Sequence, residues 1–209
     1  MIVPAFYPIL DTAAVLARDL DPVRAAQDIL DGGARILQFR HKGFLSREAY
    51  GWLESIAGLA REAGVPLVVN DRADLAKLFG AALHVGQDDL PPAAARSLIG
   101  TLPLGFSTHN EAQLRASNSE PVDYVALGPI FGTATKENPD ATVGLEELRR
   151  IRNLSTLPLI AIGGITRASA PSVIEAGANS VAIIADLFPE DGNITARTRE
   201  WIQLLSPNS

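Results

Sequence analysis

Residues 124–139 read YVALGPIFGTATKENP, an apolar run followed directly by small hydroxyl residues and one lysine. The first half is typical of a buried β-strand, because it lacks the polar alternation of a strand with one face in water. The second half becomes polar where such a strand would end. The stretch therefore predicts a strand that leads into a functional loop, and the same arrangement recurs along the chain.

Short runs rich in Val, Ile and Leu alternate with amphipathic helical stretches. The predicted strands span residues 6–10, 36–40, 67–70, 82–86, 104–108, 124–130, 159–163 and 180–184. Between them, Asp21 is placed as a helix cap with Pro22 as the first helical residue, and Ser46 opens the next helical stretch. This order predicts an α/β fold, a single (β/α)8 TIM barrel over residues 1–209, with a frayed tail at 206–209. A doubly wound open sheet is the alternative, but it would show a glycine fingerprint after the first strand, and DTAAVLARDL contains no glycine.

Composition limits the classes of partner. The net charge of −6 and the lack of a basic cluster argue against nucleic acid and anionic membranes. The absence of cysteine excludes disulfides and thiolate metal sites. No apolar run approaches the roughly 20 residues that span a bilayer, and the first residues lack the basic segment of a signal peptide. We therefore expect a cytoplasmic protein that acts on small molecules, with its oligomeric state left open, a homo-oligomer included.

Charged residues follow several predicted strands, where the chemistry of such barrels resides. Arg40 and Lys42 are two residues apart at the end of the second strand, so both cations could face one polyanion. Asp71 and Asp89 follow the next two strands and could together hold one Mg²⁺, which favours one or two carboxylates, waters and phosphates. Taken singly, each aspartate could instead cap the following helix. With Lys136 as a third cation, the set predicts a metal–diphosphate site.

A second anion site is predicted at the seventh and eighth strands. Gly163 and Gly164 follow the seventh strand, and Ala185 follows the eighth, where barrels often bind phosphate through backbone N–H groups. A diphosphate site and a monophosphate site on one barrel suit transfer from a diphosphate to a phosphorylated acceptor. His109 also lies at a strand end; it is interpreted as structural, with a proton carrier as the alternative.

Several blocks of this sequence, in order, resemble the thiamine-phosphate synthase and thiazole tautomerase superfamily. They are QFRHK, VVNDR, HVGQDD, STH, DYVALGPIFGTATK and AIGGI. The resemblance implies a transferase that couples hydroxymethyl-aminopyrimidine diphosphate to hydroxyethylthiazole phosphate after Mg²⁺-assisted loss of pyrophosphate. It also implies that Asp71 and Asp89 bind Mg²⁺. The implied binding residues are Gln38, Arg40, Lys42, Asn70, Ser107 and Lys136 for the pyrimidine diphosphate, and Thr133, Thr135, Gly164, Ile184 and Ala185 for the thiazole phosphate. Of these, the resemblance implies catalytic roles for Arg40, Lys42, Ser107 and Lys136.

The chain departs from the family pattern at a few positions. Gly132 stands where proline is usual, His41 where glutamate is usual, and Ala185 where serine is usual, which removes one hydroxyl contact to phosphate. Two other functions remain open. One is thiazole tautomerase, a cofactor-free isomerase that would use a histidine such as His109. The other is a catalytically silent barrel that binds thiamine precursors.

Overall fold

The structure is a computed structural model that describes residues 3–132 and 141–206. Within those residues, eight parallel strands pair in sequence order, and β8 closes onto β1. The strands are β1 Phe6–Asp11, β2 Leu37–Arg40, β3 Leu67–Asn70, β4 Ala82–Val85, β5 Leu104–Thr108, β6 Tyr124–Leu127, β7 Leu159–Ile162 and β8 Ser180–Ile183. The predicted (β/α)8 barrel is confirmed, and the open sheet is excluded by the β1–β8 pairing.

Helices cover the outside of the barrel. They are α1 Thr12–Leu16, α2 Pro22–Asp31, α3 Arg47–Glu62, α4 Ala73–Phe79, α5 Pro92–Ile99, α6 Glu111–Ser117, α7 Gly144–Ile151, α8 Ala170–Glu175 and α9 Ile194–Leu205. Asp21 caps α2 as predicted, since its side chain accepts a hydrogen bond from Arg24 N–H at 2.7 Å, and Ser46 caps α3 by accepting from Ala49 N–H at 3.1 Å. Among the described residues, no helix has the length and apolar character that a bilayer-crossing segment needs.

The sixth strand is shorter than the sequence predicts. It ends at Leu127 instead of residue 130, and Gly128 N–H still donates to Thr108 O at 3.1 Å. Pro129 has no N–H to continue a ladder, which ends the regular pairing. The chain nevertheless stays beside β7, because Ile130 N–H donates to Ile162 O at 2.8 Å.

Apolar side chains pack on both faces of the strands. One layer lies between the strands and the helices, and the other fills the barrel interior. The interior contains Tyr7 and Tyr124, both almost completely buried. Gly105 makes room for Tyr124, since a Cβ at Gly105 would lie 2.1 Å from the Tyr124 ring. The interior below the barrel mouth thus combines apolar side chains with two buried phenols.

Candidate active site

Three predicted residues from three adjacent strand ends contact one another. Lys42 follows β2, Asp71 follows β3, and Asp89 lies in the loop after β4. Lys42 Nζ donates to Asp71 Oδ2 at 2.5 Å, and the carboxyl groups of Asp71 and Asp89 are hydrogen-bonded to each other. Residues up to 47 positions apart in the chain, as 89 − 42 gives, therefore form one cluster at the carboxyl ends of the strands.

The pKa values of Asp71 and Asp89 are shifted in opposite directions. The pKa of Asp71 is raised to about 6, chiefly by burial and next by the contact with Asp89, while Lys42 acts in the opposite direction. Burial acts to raise the pKa of Asp89 as well, but hydrogen bonds from Asp71 and from Gly86 N–H outweigh it and lower that pKa. Two close carboxyl groups of which one holds a proton form a pair in which a divalent cation can replace that proton.

The capping interpretation of both aspartates is wrong. The N-cap residues of α4 and α5 are Arg72 and Pro91, and neither helix has a side-chain cap. Asp89 Oδ2 instead accepts from Gly86 N–H at 2.8 Å within its own loop. Asp71 has φ of 63°, a left-handed conformation that is uncommon for residues other than glycine and enriched at functional sites.

Arg40 is held on the other side of β2. It forms an ion pair with Asp11, a 3% exposed residue at the end of β1 that also caps α1 by accepting from Ala14 N–H at 3.0 Å. Arg40 and Lys42 thus contact carboxylates on opposite flanks of β2. A single polyanion would meet both cations only by sharing or exchanging these two ion pairs. Asp11 was not predicted as a site residue, because the first strand was predicted to end one residue earlier.

A cavity of about 500 Å³ opens at the same end of the barrel. This volume lies in the range of small-molecule sites, and isoleucine and alanine side chains form much of its wall. Six of the binding residues that the resemblance implies line it: Gln38, Arg40, Asn70, Gly164, Ile184 and Ala185. Lys42 and Asp71 line a neighbouring cavity of about 210 Å³, and Asn70 lines both.

Asn70 lies on the wall of both cavities. Its side chain is buried, and no described residue accepts a hydrogen bond from its Nδ2 group. A buried donor without a partner is costly to the folded protein, so a ligand acceptor at this point would gain a hydrogen bond.

The loops after β7 and β8 form the opposite side of the cavity. Gly164 has φ of 65°, and a Cβ there would lie 2.4 Å from Gly132 O. The close approach of the loop after β6 therefore requires glycine at position 164, whether or not a ligand also approaches this backbone. Among the described residues, no acceptor is found for the backbone N–H of Gly164 or Ala185.

Comparison with known proteins agrees with this geometry. The family model described as thiamine monophosphate synthase matches residues 6–187. Thiamine-phosphate synthase of Koribacter versatilis is 46% identical to the chain over 182 residues, which cover 86% of this chain and 84% of that protein. The chain belongs to the thiamine monophosphate synthase family. It is accordingly an enzyme, a transferase.

Two further relatives cover nearly the whole chain. Thiamine-phosphate synthase of Chloroflexus aurantiacus is 40% identical over 196 residues, 93% of this chain and 90% of that protein. The solved structure of thiamine phosphate pyrophosphorylase from Pyrococcus furiosus has a TM-score of 0.84 at 25% identity, covering 96% of this chain and 95% of that chain. The resemblance described from the sequence is thus confirmed at the level of the family.

In this member of the thiamine monophosphate synthase family, buried hydrogen bonds connect the floor of the cavity. Gln38 Nε2 donates to Tyr7 Oη at 3.0 Å, and Tyr7 Oη lies 3.0 Å from Tyr124 Oη. Tyr124 Oη lies 3.1 Å from His84 Nδ1, and His84 Nε2 lies 2.9 Å from Ser107 Oγ. Burial lowers the pKa of His84 to about 4, so its ring is neutral near pH 7. Ser107 does not line the cavity itself and is linked to it through His84.

Tyr7 and Tyr124 are functional candidates that were not predicted from the sequence. The sequence feature that could have indicated them is a tyrosine inside an otherwise apolar strand, because a buried phenol hydroxyl normally requires a hydrogen-bond partner. His109 also lines the cavity, and its Nδ1 donates to Gly128 O at 2.6 Å; its role, structural or as a proton carrier, stays a prediction.

Three predicted residues, Thr133, Thr135 and Lys136, lie outside the described residues. Their roles therefore remain predictions from the resemblance. Within residues 3–132 and 141–206, no group of three or more His, Cys, Asp or Glu side chains could hold a metal. The described part of the chain therefore contains no metal site built from three such protein ligands.

Proposed function

We propose that this enzyme is a thiamine-phosphate synthase that joins hydroxymethyl-aminopyrimidine diphosphate to hydroxyethylthiazole phosphate, giving thiamine phosphate and pyrophosphate. The observation that carries the proposal is the contact of Lys42, Asp71 and Asp89 beside a largely apolar cavity. Small phosphorylated substrates as partners and a cytoplasmic location belong to the same proposal.

The donor set fits Mg²⁺ as the cofactor. Asp71 and Asp89 supply two hard oxygen donors in contact, and Mg²⁺ commonly takes one or two carboxylates and completes its shell with water and substrate phosphate. These two residues would hold the ion, and the ion would supply positive charge to the departing diphosphate. Residues around the two cavities would bind the substrates and stabilise the charge of the leaving group.

The reaction needs charge stabilisation more than acid–base chemistry. The carbon–oxygen bond to the diphosphate breaks, and pyrophosphate leaves with the electron pair. The thiazole nitrogen then uses its lone pair to form the new carbon–nitrogen bond, so the two steps balance without a proton transfer. Arg40, Lys42 and Lys136 offset the charge that grows on the leaving group. Gln38, Asn70 and Ser107 complete the set that binds the pyrimidine diphosphate.

The apolar wall of the larger cavity protects the reaction from water. A pyrimidine cation would be captured by water as readily as by the thiazole, so exclusion of solvent favours coupling over hydrolysis. Ile160 and Ile162 on β7 lie on that wall, on the side of the barrel where the acceptor is proposed to bind.

The acceptor phosphate is assigned to the loops after β6, β7 and β8. Gly164, Ile184 and Ala185 line the cavity there, with Thr133 and Thr135 as further proposed contacts. Ala185 offers no hydroxyl group, so its contribution is limited to the backbone N–H.

The test is a coupling assay with both phosphorylated substrates, with and without Mg²⁺. Thiamine phosphate is expected to form only when the metal is present, and Lys136→Ala is expected to reduce turnover by about 100-fold or more. Phosphate binding without turnover would instead identify a silent barrel. Conversion of an isomeric thiazole phosphate without any pyrimidine diphosphate or metal would identify a tautomerase.

A further inference from the structure

Asp186 lies at the edge of the acceptor side of the cavity and is held by three side chains. It follows β8 within the 3₁₀ turn Ala185–Leu187 and lines the cavity. Its Oδ2 accepts from Trp201 Nε1 at 2.8 Å, and its Oδ1 accepts from Arg197 Nη1 at 2.8 Å. The same Arg197 nitrogen donates to the backbone oxygen of Asp186 at 2.9 Å, so side chain and main chain are fixed together.

The groups that hold Asp186 are themselves well anchored. Trp201 is fully buried in α9, and its ring stacks on Phe6 of β1 with centroids 6.0 Å apart and an interplanar angle of 6°. Arg197 also belongs to α9 and pairs with Glu200 at 3.1 Å. Asp186 therefore ties the turn after β8 to a helix that is packed against the barrel.

Asp186 also joins two loops. Arg167 Nε lies 3.4 Å from Asp186 Oδ2, and Arg167 belongs to the loop after β7 that contains Gly164. Arg167 Nη1 in turn contacts Glu200 at 2.5 Å. The Asp186 carboxylate thus links the loop that contains Gly164 directly to the turn that contains Ala185, and Glu200 adds an indirect link through Arg167 and Arg197.

We propose that Asp186 is a positioning residue that sets the spacing of these two loops for a phosphate monoester. The inference rests on the proposed function, because it assumes that the acceptor phosphate binds between Gly164 and Ala185. Asp186 acts through Arg167, Arg197 and Trp201, and its own charge works against an anion in the cavity.

The sign of the charge makes the proposal testable. A carboxylate beside a phosphate site repels the ligand, so removing its charge would strengthen binding if electrostatics dominated. If Asp186 acts by holding the loops, removing its charge-assisted hydrogen bonds weakens binding. The two explanations therefore predict changes of opposite direction for one substitution.

The experiment compares Asp186→Asn with the wild-type enzyme. Titration calorimetry would measure binding of hydroxyethylthiazole phosphate, and steady-state kinetics would measure the KM of each substrate. Asp186→Asn is expected to weaken monoester binding and raise the acceptor KM by about tenfold. The kcat at saturating acceptor and the KM for the pyrimidine diphosphate are expected to stay unchanged.

Two further variants serve as a graded test and a matched control. Trp201→Phe removes one donor but keeps a ring for Phe6, so a smaller loss, about threefold, is expected. Glu190→Gln removes the same charge from the same segment, at an exposed side chain that forms no hydrogen bond or ion pair with another described residue, and is expected to leave monoester affinity unchanged.

The outcomes separate the two proposals. Folded Asp186→Asn protein that binds the monoester as tightly as wild type, or more tightly, would overturn the positioning role alone. Wild-type protein that fails to bind the monoester would overturn the proposed acceptor site and the positioning role with it. A folded, weakly binding Trp201→Phe variant would support the positioning role even if Asp186→Asn were to unfold.

Discussion

The two sides of the barrel mouth are built on different physical principles. The charged side, formed by Asp11, Arg40, Lys42, Asp71 and Asp89 at the ends of β1 to β4, consists of side chains that pair with one another. The backbone side, formed by Gly164, Ile184 and Ala185 after β7 and β8, offers main-chain N–H groups whose positions depend on packing. The cations of the first side are already engaged in ion pairs, whereas the N–H groups of Gly164 and Ala185 on the second side have no acceptor among the described residues.

This difference predicts how each side responds to substitution. On the charged side, an isosteric change should remove chemistry while the fold persists, because the side chains lie outside the apolar core. On the backbone side, a change acts through conformation, so stability and affinity should fall together.

Asp71→Asn is expected to have the largest effect. Asparagine tolerates the left-handed backbone of residue 71 but cannot replace a charged metal ligand, so kcat should fall by about 100-fold or more with little change in melting temperature. Asp74→Asn, at an exposed acid three residues further along that pairs with Arg72, is the matched control and should keep full activity. Activity of Asp71→Asn within about twofold of wild type would contradict the metal-ligand role.

Gly164→Ala should have an intermediate effect that combines stability with binding. The added Cβ would lie 2.4 Å from Gly132 O at a positive φ, so we expect a loss of about 1–3 kcal/mol in unfolding free energy. The displaced loop should also raise the acceptor KM. Thermal unfolding and kinetics would measure both, with Gly58→Ala in α3 as control, since a Cβ at Gly58 meets no atom within 4 Å. A normal melting temperature together with a normal acceptor KM would show that this close contact is not required.

The smallest effect concerns pH. With the pKa of Asp71 raised to about 6, chiefly by burial, the metal must displace a proton below that pH. Apparent Mg²⁺ affinity should therefore fall by about tenfold per pH unit below about pH 6 and should be nearly constant above about pH 7. Calorimetric Mg²⁺ titrations over this pH range test the expectation. A Mg²⁺ affinity that does not change with pH would show that the metal does not displace a proton from Asp71.

The sequence was sufficient for the barrel, and it placed Lys42, Asp71 and Asp89 near one another, because both follow from residue type and position along alternating strands. The functional roles of these residues remain predictions. It could not separate a metal ligand from a helix cap at Asp71 and Asp89, since that choice depends on where each carboxylate points. Asp11 was missed because the boundary of β1 was placed one residue early. The short helices α1 and α6 were not predicted either, because five to seven residues give little periodicity.

On the backbone side, the place of a residue after a strand was more informative about phosphate binding than its residue type. Gly164 was assigned to phosphate binding from its place after the seventh strand, whereas the structure shows that packing against Gly132 also demands glycine. Asp186 was not singled out, because its contacts with Trp201 and Arg167 come from elements that are adjacent only in three dimensions.

The central claim is that the two sides bind two different phosphate groups independently. The most direct measurement is a crossed calorimetric titration of pyrophosphate and of hydroxyethylthiazole phosphate into wild type, Asp71→Asn and Asp186→Asn, each with and without Mg²⁺. The account predicts that pyrophosphate binding needs Mg²⁺ and is lost only in Asp71→Asn, while monoester binding is independent of Mg²⁺ and weakened only in Asp186→Asn. Equal loss of both ligands in either folded variant would contradict the division of the mouth into two sites.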